Sequence, residues 1–527
     1  WKENFYYNAF RLRGSVFKDF DLDAFLDPTD QKVPFQLVRT DANGILVWTN
    51  SAGDYDLPAD TGTWDVWTNP PSIYQITNNP DTLTATLTVP EPIEEDLDFG
   101  MAPAVQDTAG FLSLVTSDFL RCNTDASIWI TVQNTGTFIP EDLVIDFTIN
   151  PDVTYNGASI APDSIVGDHY YWHVDSLGWF ESFQVAVFIT TGPAGSSSYM
   201  HAAVIFNAAA PIVYTEGIGA IVNCALDPND KLVTPEGYGP AGAVDIDTEW
   251  LTYTVRFQNT GNDTAFTVVL RDTLDADLDW ASMQILAASH DLTQIMVDEG
   301  GLATFRFDQI LLPDSNVNEP LSHGFVKYRI APVDGAPDGT VIDNSAAIYF
   351  DLNAPVITNM VMNTLVDCDL FSAQVILAGV DSLIANAADV YQWFLDGDSI
   401  TGANSQWLNI AVAGNYSVEV TSIYGCVDVS DPFQVISTSV GQSAENSSQL
   451  VVMPNPADGD FTILCPEALD AGDAIEIVDV NGRVVLALHG YGTHEVLIER
   501  GDLGAGMYLV RILRNGSPWG SARVVVE

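Results

Sequence analysis

Apolar and polar residues alternate with a period of two through much of the chain, as in "SIWITVQ", "LTYTVRF", "YSVEVTS" and "MYLVRIL". Gly, Asn, Asp and Pro turns separate these runs. Alternation of this kind buries one face of an antiparallel strand and leaves the other in water. Helical periodicity is nearly absent. The pattern therefore predicts an all-β chain of consecutive sandwiches, each on the order of a hundred residues, an ordinary size for an immunoglobulin-like module. At 527 residues the chain is too long for one core, and its length predicts roughly three to five domains in an elongated row.

Composition and motifs divide the chain further. Residues 1–103 run from "RLRGSVFKDFDLD" through "TNSAGDYDLP" and "GTWDVW" to "DLDFGMAP". This order of strand, Asp-rich loop, turn and closing "FG" resembles the B-type repeat of Gram-positive serine-aspartate surface proteins and related transthyretin-like modules. Residues 104–225 carry "RCNTDASIWITVQNTGT" and are expected to form an immunoglobulin-like sandwich. Residues 226–366, with "DPNDKLVTPEG", "LTYTVRFQNTGNDTAFTVVLRDTL" and "NSAAIYFDLNAPVITN", resemble a conserved-repeat surface domain of Bacteroidetes whose biochemical role is unknown. Both segments share an "NTG" turn after an alternating strand, so they read as distant repeats of one sandwich type.

Residues 367–437 place Trp393 between Cys368 and Cys426 and so resemble an immunoglobulin-like domain. Tyr416 lies ten residues before Cys426. The antibody pattern has it much closer, so a bridge here is expected to tie strand ends or loops. Residues 438–449, "TSVGQSAENSSQ", read as a linker. The remainder, 450–527, contains "VMPNPADGDF", "IEIVDVNGRVV", "LGAGMYLVRI" and "SARVVVE" in an order that resembles the type A C-terminal sorting domain of type IX secretion cargo. That resemblance implies export across the outer membrane of a Bacteroidetes cell, the type IX machinery as a partner, and an extracellular or outer-surface location.

Charge narrows the partners. The chain has 18 Lys+Arg against 71 Asp+Glu, a formal net charge of -53. A field of that sign repels phosphate, which excludes nucleic acid and anionic membrane as partners and favours divalent cations. No run reaches the ~20 apolar residues of a spanning helix, so no direct membrane insertion is expected. Trp1 is not a start methionine and no leader pattern follows it, so an upstream segment is expected. Five cysteines are present and none forms a C-x-x-C pair. In an exported chain the simple pairing is Cys122 with Cys224 and Cys368 with Cys426, each bracketing one segment, with Cys465 left over.

Against this background one stretch stands out. "DFDLDAFLDPTD" places Asp19, Asp21, Asp23, Asp27 and Asp30 at positions 1, 3, 5, 9 and 12. An EF-hand loop presents calcium ligands from these positions, with a backbone carbonyl at position 7, here Phe25. Ala24 stands where the EF-hand has glycine, and the flanks read as strands. The resembled B-type repeats also bind calcium in their Asp-rich loop, so a structural calcium ion is expected. A second acidic string, Asp227, Asn229 and Asp230 with Asp351 and Asn353, reads rather as a Pro-Asn turn capped by its own side chains. His169, His173 and Asp175 share one strand face with Tyr171, a set read as packed or exposed and not as a catalytic metal site.

Signatures of metalloproteases, serine hydrolases, nucleotide-binding loops and dinucleotide folds are missing from the sequence. The expectation is a non-enzymatic structural or adhesive surface protein. Retention of the tail would fit a filament or sheath subunit whose copies join by strand addition at exposed β edges. The competing expectation is the stalk and sorting region of a secreted enzyme or carbohydrate binder whose active module lies upstream.

Overall fold

The structure, a computed structural model, describes residues 10–40, 44–105, 110–117, 122–196, 200–206, 212–218, 222, 228–378, 381–436, 448–480, 482–490, 492–501 and 503–527. Strands dominate, and a 3-10 turn at Cys368–Leu370 is the sole helical element among the described residues. The chain divides into two compact units, Trp1–Val366 and Asp367–Glu527.

Within the first unit, the strand Phe10–Lys18 organises residues 10–103. It pairs antiparallel with Asp54–Ala59 and, at its far end, parallel with Phe99–Pro103. Leu12, Val16, Leu57 and Phe99 are fully buried in the resulting core. In the second segment two sheets enclose another core. Ile128, Ile130 and Val132 of the strand Asp125–Asn134 meet Ile145 and Phe147 of Glu141–Ile149. Each contributes every second residue, as the alternation requires.

The third segment does not stand beside the first as a separate bead. The strand Leu46–Trp48 pairs antiparallel with Gln294–Val297, placing Trp48 opposite Ile295 and Leu46 opposite Val297. This pairing fuses strands of both segments into one nine-stranded sheet, from Val356–Ile357 at one edge to Leu83–Leu87 at the other. Adjacent residues of the short strand then serve two cores. Val47 enters the core of the first segment and Trp48 that of the third, where its indole Nε1 donates to the Met283 carbonyl at 3.1 Å.

The second segment also packs within this unit. Tyr74 donates its hydroxyl to the Gly136 carbonyl at 2.6 Å and lies 4.4 Å from the Phe180 ring centroid. Trp129 meets Phe325 edge-on at 5.9 Å.

The second unit contains two further cores. Trp393, Tyr416, Val418 and Val420 fill the one in residues 367–436. Cys368 and Cys426 are bonded across a Cα–Cα distance of 5.3 Å. One lies in the short turn Cys368–Leu370 and the other just ahead of the strand Val427–Val429, so the bridge joins element ends and does not cross the core. The other core belongs to residues 448–527, where Ile463, Val510, Ile512 and Val524 are fully buried. Cys465 is free and buried there, and burial pushes its thiol up to about 11. Of the expected linker, residues 438–447 lie outside the described residues, while Ser448–Gln449 pairs with Ser517–Val526. Cys122 is disulfide-bonded; its expected partner Cys224 lies outside the described residues.

Candidate metal site

The Asp-rich loop begins where the strand Phe10–Lys18 ends. The Asp19 N–H still follows the ladder, donating to the Met101 carbonyl at 2.9 Å. Its carboxylate is buried and turns back to accept the N–H groups of Leu22 at 2.7 Å, Ala24 at 2.9 Å and, more weakly, Asp23 at 3.3 Å. A buried carboxylate needs such partners, since an unpaired one would cost several kcal/mol. To present these amides the loop takes left-handed backbone at Leu22 and Ala24, each with φ 64°. Ala24 thus makes the sharp turn for which a calcium loop of this spacing ordinarily uses glycine.

One consequence is the convergence of three carboxylates. Single oxygens of Asp19, Asp21 and Asp23 lie within 4.8 Å of one another, and among the described residues this is the one such group of three. Ligands of a single calcium ion at about 2.4 Å can be no farther apart than about 4.8 Å, so the three fit one ion. Asp21 and Asp23 are exposed, leaving room for water to complete the shell. The Asp21 carboxyl is pushed above the usual carboxylate range, first by loss of surrounding water and then by the charges of Asp23, Asp19 and Asp27. Calcium would relieve that repulsion.

The other expected ligands are committed differently. Asp27 accepts both the N–H and the hydroxyl of Thr29, at 2.6 and 2.7 Å, and these bonds hold its carboxyl below the usual range. Asp30 closes the loop by accepting the Asp27 N–H at 3.1 Å and the Phe20 N–H at 3.4 Å. Phe25 is exposed and donates its N–H to Asp23 at 2.8 Å. Asp27 and Asp30, like Asp19, accept hydrogen bonds within the loop, and of the spaced acids it is Asp19, Asp21 and Asp23 whose oxygens converge.

The loop also borders the second segment. Phe20 lies 5.6 Å from the Trp179 ring, and Lys18, buried at the base of the loop, pairs with Glu181 at 3.2 Å. Burial draws the Lys18 pKa down while Glu181 opposes that effect.

At the second acidic string Asp227 lies outside the described residues, and Asp230 is held by Arg256 through two bonds of 2.8 and 2.6 Å. Asp351 caps the N–H groups of Phe266 and Thr267 at 3.0 and 2.8 Å. Asp230 thus pairs with its cross-strand neighbour and does not cap a turn of its own, while Asp351 anchors the start of the strand Ala265–Thr273. On the strand His169–Ser176, His169 is bound to Asp146 at 2.8 Å and stacks on Tyr171, while His173 and Asp175 are exposed. These residues do not gather around a common point.

Sequence reasoning passed over a different cluster. Lys231, on the edge strand Asp230–Thr234, is fully buried together with Asp272. Its Nζ donates to Asp272 Oδ2 and to the Tyr328 hydroxyl, the latter at 3.2 Å. Tyr328 in turn donates to Asp272 Oδ2 at 2.6 Å, and Asn344 Nδ2 donates to the Tyr328 oxygen at 3.3 Å. The Tyr253 ring covers the ammonium at 4.7 Å. A signal was available: in "DKLVT", alternation places Lys231 in the inward register of buried Val233, while Leu232 points out.

Comparisons with known proteins divide by segment. Residues 227–364, which include Lys231, Asp272 and Asn344, match a domain of unknown function (DUF7619). Residues 451–527 match the secretion system C-terminal sorting domain. No curated protein matches the chain. Among solved structures, the collagen adhesin from S. aureus is 11% identical, with 53% of this chain and 94% of that chain covered at a TM-score of 0.18. The major pilin subunit of Bacillus cereus is 9% identical, with 66% and 95% covered and a TM-score of 0.18. The tail match covers one end of the chain, a segment that has its own buried core. The chain therefore carries the C-terminal sorting domain of type IX secretion cargo, which places it at the cell surface or in the extracellular space.

Proposed function

We propose that the chain is a non-enzymatic structural or adhesive protein of the cell surface, delivered by its tail and stiffened by calcium at Asp19, Asp21 and Asp23. The observation that carries this reading is the sorting domain over residues 451–527. The packing of three sandwiches into one unit supports it: the sheet shared through Leu46–Trp48 joins the first and third segments directly, and the second packs on both. In this reading calcium fixes the loop that leans on Trp179 and Glu181, and so stiffens the contact between the first two segments. The edges Leu83–Leu87 and Val356–Ile357 of the nine-stranded sheet are the joints at which copies would add strands to form a filament or sheath.

Deletion of residues 451–527 in the producing cell is the test. The full chain should be digested by protease added to intact cells, and the truncated chain should stay protected inside the envelope. A full chain that reaches the surface, yet whose loss changes neither attachment nor the surface layer, would refute the structural and adhesive reading.

A further inference from the structure

The cluster around Lys231 has the composition of a reaction site closed on itself. An amine, a carboxyl and a carboxamide, from Lys231, Asp272 and Asn344, meet in a core lined by Tyr253, Tyr328 and Phe305. Amine and carboxamide share one neighbour, the Tyr328 hydroxyl, at 3.2 and 3.3 Å. As a mere ion pair the arrangement is expensive, because desolvating two charges offsets most of their attraction. It is also incomplete: Asp272 Oδ1 and Asn344 Oδ1 are buried without a hydrogen-bond partner. Two buried acceptors go without a donor although the Lys231 ammonium, with protons to give, lies in the same cluster.

We propose that Lys231 and Asn344 are joined by an intramolecular amide bond, formed within the folded core with loss of ammonia and promoted by Asp272. The step balances without any added reagent. Asp272 takes a proton from the Lys231 ammonium, and the freed Nζ lone pair attacks Asn344 Cγ. The C–Nδ2 bond then breaks, and the former carboxamide nitrogen leaves as ammonia after receiving the second proton of the amine. The carboxylate ends as a carboxylic acid whose O–H donates to the new amide carbonyl, the former Asn344 Oδ1. Both orphaned acceptor positions are then accounted for, and no charge stays buried.

The surroundings suit each part of this step. Burial draws the Lys231 pKa down to about 8, against the pull of Asp272, so the neutral nucleophile is accessible near neutral pH. The aromatic rings exclude the water that would compete for the carbonyl carbon. The two strands to be joined, Asp230–Thr234 and Val341–Asn344, lie at the edges of two different sheets of one sandwich, so the bond would close the segment from its first strand to one of its last.

Intact mass spectrometry of the purified full chain, reduced and denatured, tests the bond. The expected mass is that of the sequence less one ammonia, and digestion should give a branched peptide joining Lys231 to Asn344. Lys231→Met, Asn344→Ala and Asp272→Ala should each return the full sequence mass. The isosteric Asn344→Asp should still link, now with loss of water. A wild-type chain of full mass with a linear Lys231 peptide overturns the proposal, and so does a branch to Asp272 with loss of water. The wild-type measurement alone decides, so a variant that fails to fold does not blur the outcome.

Discussion

Ala24 occupies left-handed backbone that costs an L-residue roughly 1–2 kcal/mol relative to glycine. Ala24→Gly should therefore raise the melting temperature both in chelator and in calcium, since the loop carries this strain without the ion, and should leave the further shift that calcium adds about unchanged. Asp21→Ala with Asp23→Ala should abolish the calcium-dependent shift, and a shift that survives both would place the ion elsewhere. pH gives an independent check. The folded, calcium-free loop holds the Asp21 proton more tightly than the unfolded chain does, since its neighbours repel the charge. The repulsion is fully present above the raised pKa and is relieved as pH falls through it, so the chelated protein gains stability on mild acidification from this group. Calcium requires the ionised form, so the stabilising shift it produces should shrink over the same interval. At this scale the sequence was legible in part. Asp19, Asp21 and Asp23 converge within the span that the spacing marked, while the bonds that Asp19, Asp27 and Asp30 accept from loop amides are set by local turns and leave no trace in the spacing.

Strands were the most legible elements, because alternation records burial directly: Ile128, Ile130 and Val132 alternate as read and are fully buried. Their partners across sheets were not. "LVW" and "QIMV" are too short to show a period, and backbone pairing leaves no side-chain code. Trp48 makes the hidden joint testable. Trp48→Ala removes a buried indole and its bond to the Met283 carbonyl, and should cost about 3–5 kcal/mol in denaturant melts of the first unit. A loss under 1 kcal/mol would mean that the shared sheet contributes little. Cys368→Ser should cost the second unit about 2–5 kcal/mol, an effect that reducing the wild-type protein should reproduce.

For the whole molecule the shared sheet changes what counts as a unit. Separate sandwiches would melt separately, whereas three cores tied by Trp48, Tyr74 and Phe325 should melt together. Calorimetry should then show one transition for residues 1–366, and three resolved transitions there would contradict the packing. The same tie alters how the chain carries force. Because Leu46–Trp48 grips Gln294–Val297 directly, tension entering the first sandwich passes to the third without crossing the residues in between. The second sandwich is wired in parallel, not in series. It is sheltered from pulling until the Trp48 seam tears, and from then on its unfolding supplies slack to a chain already under strain.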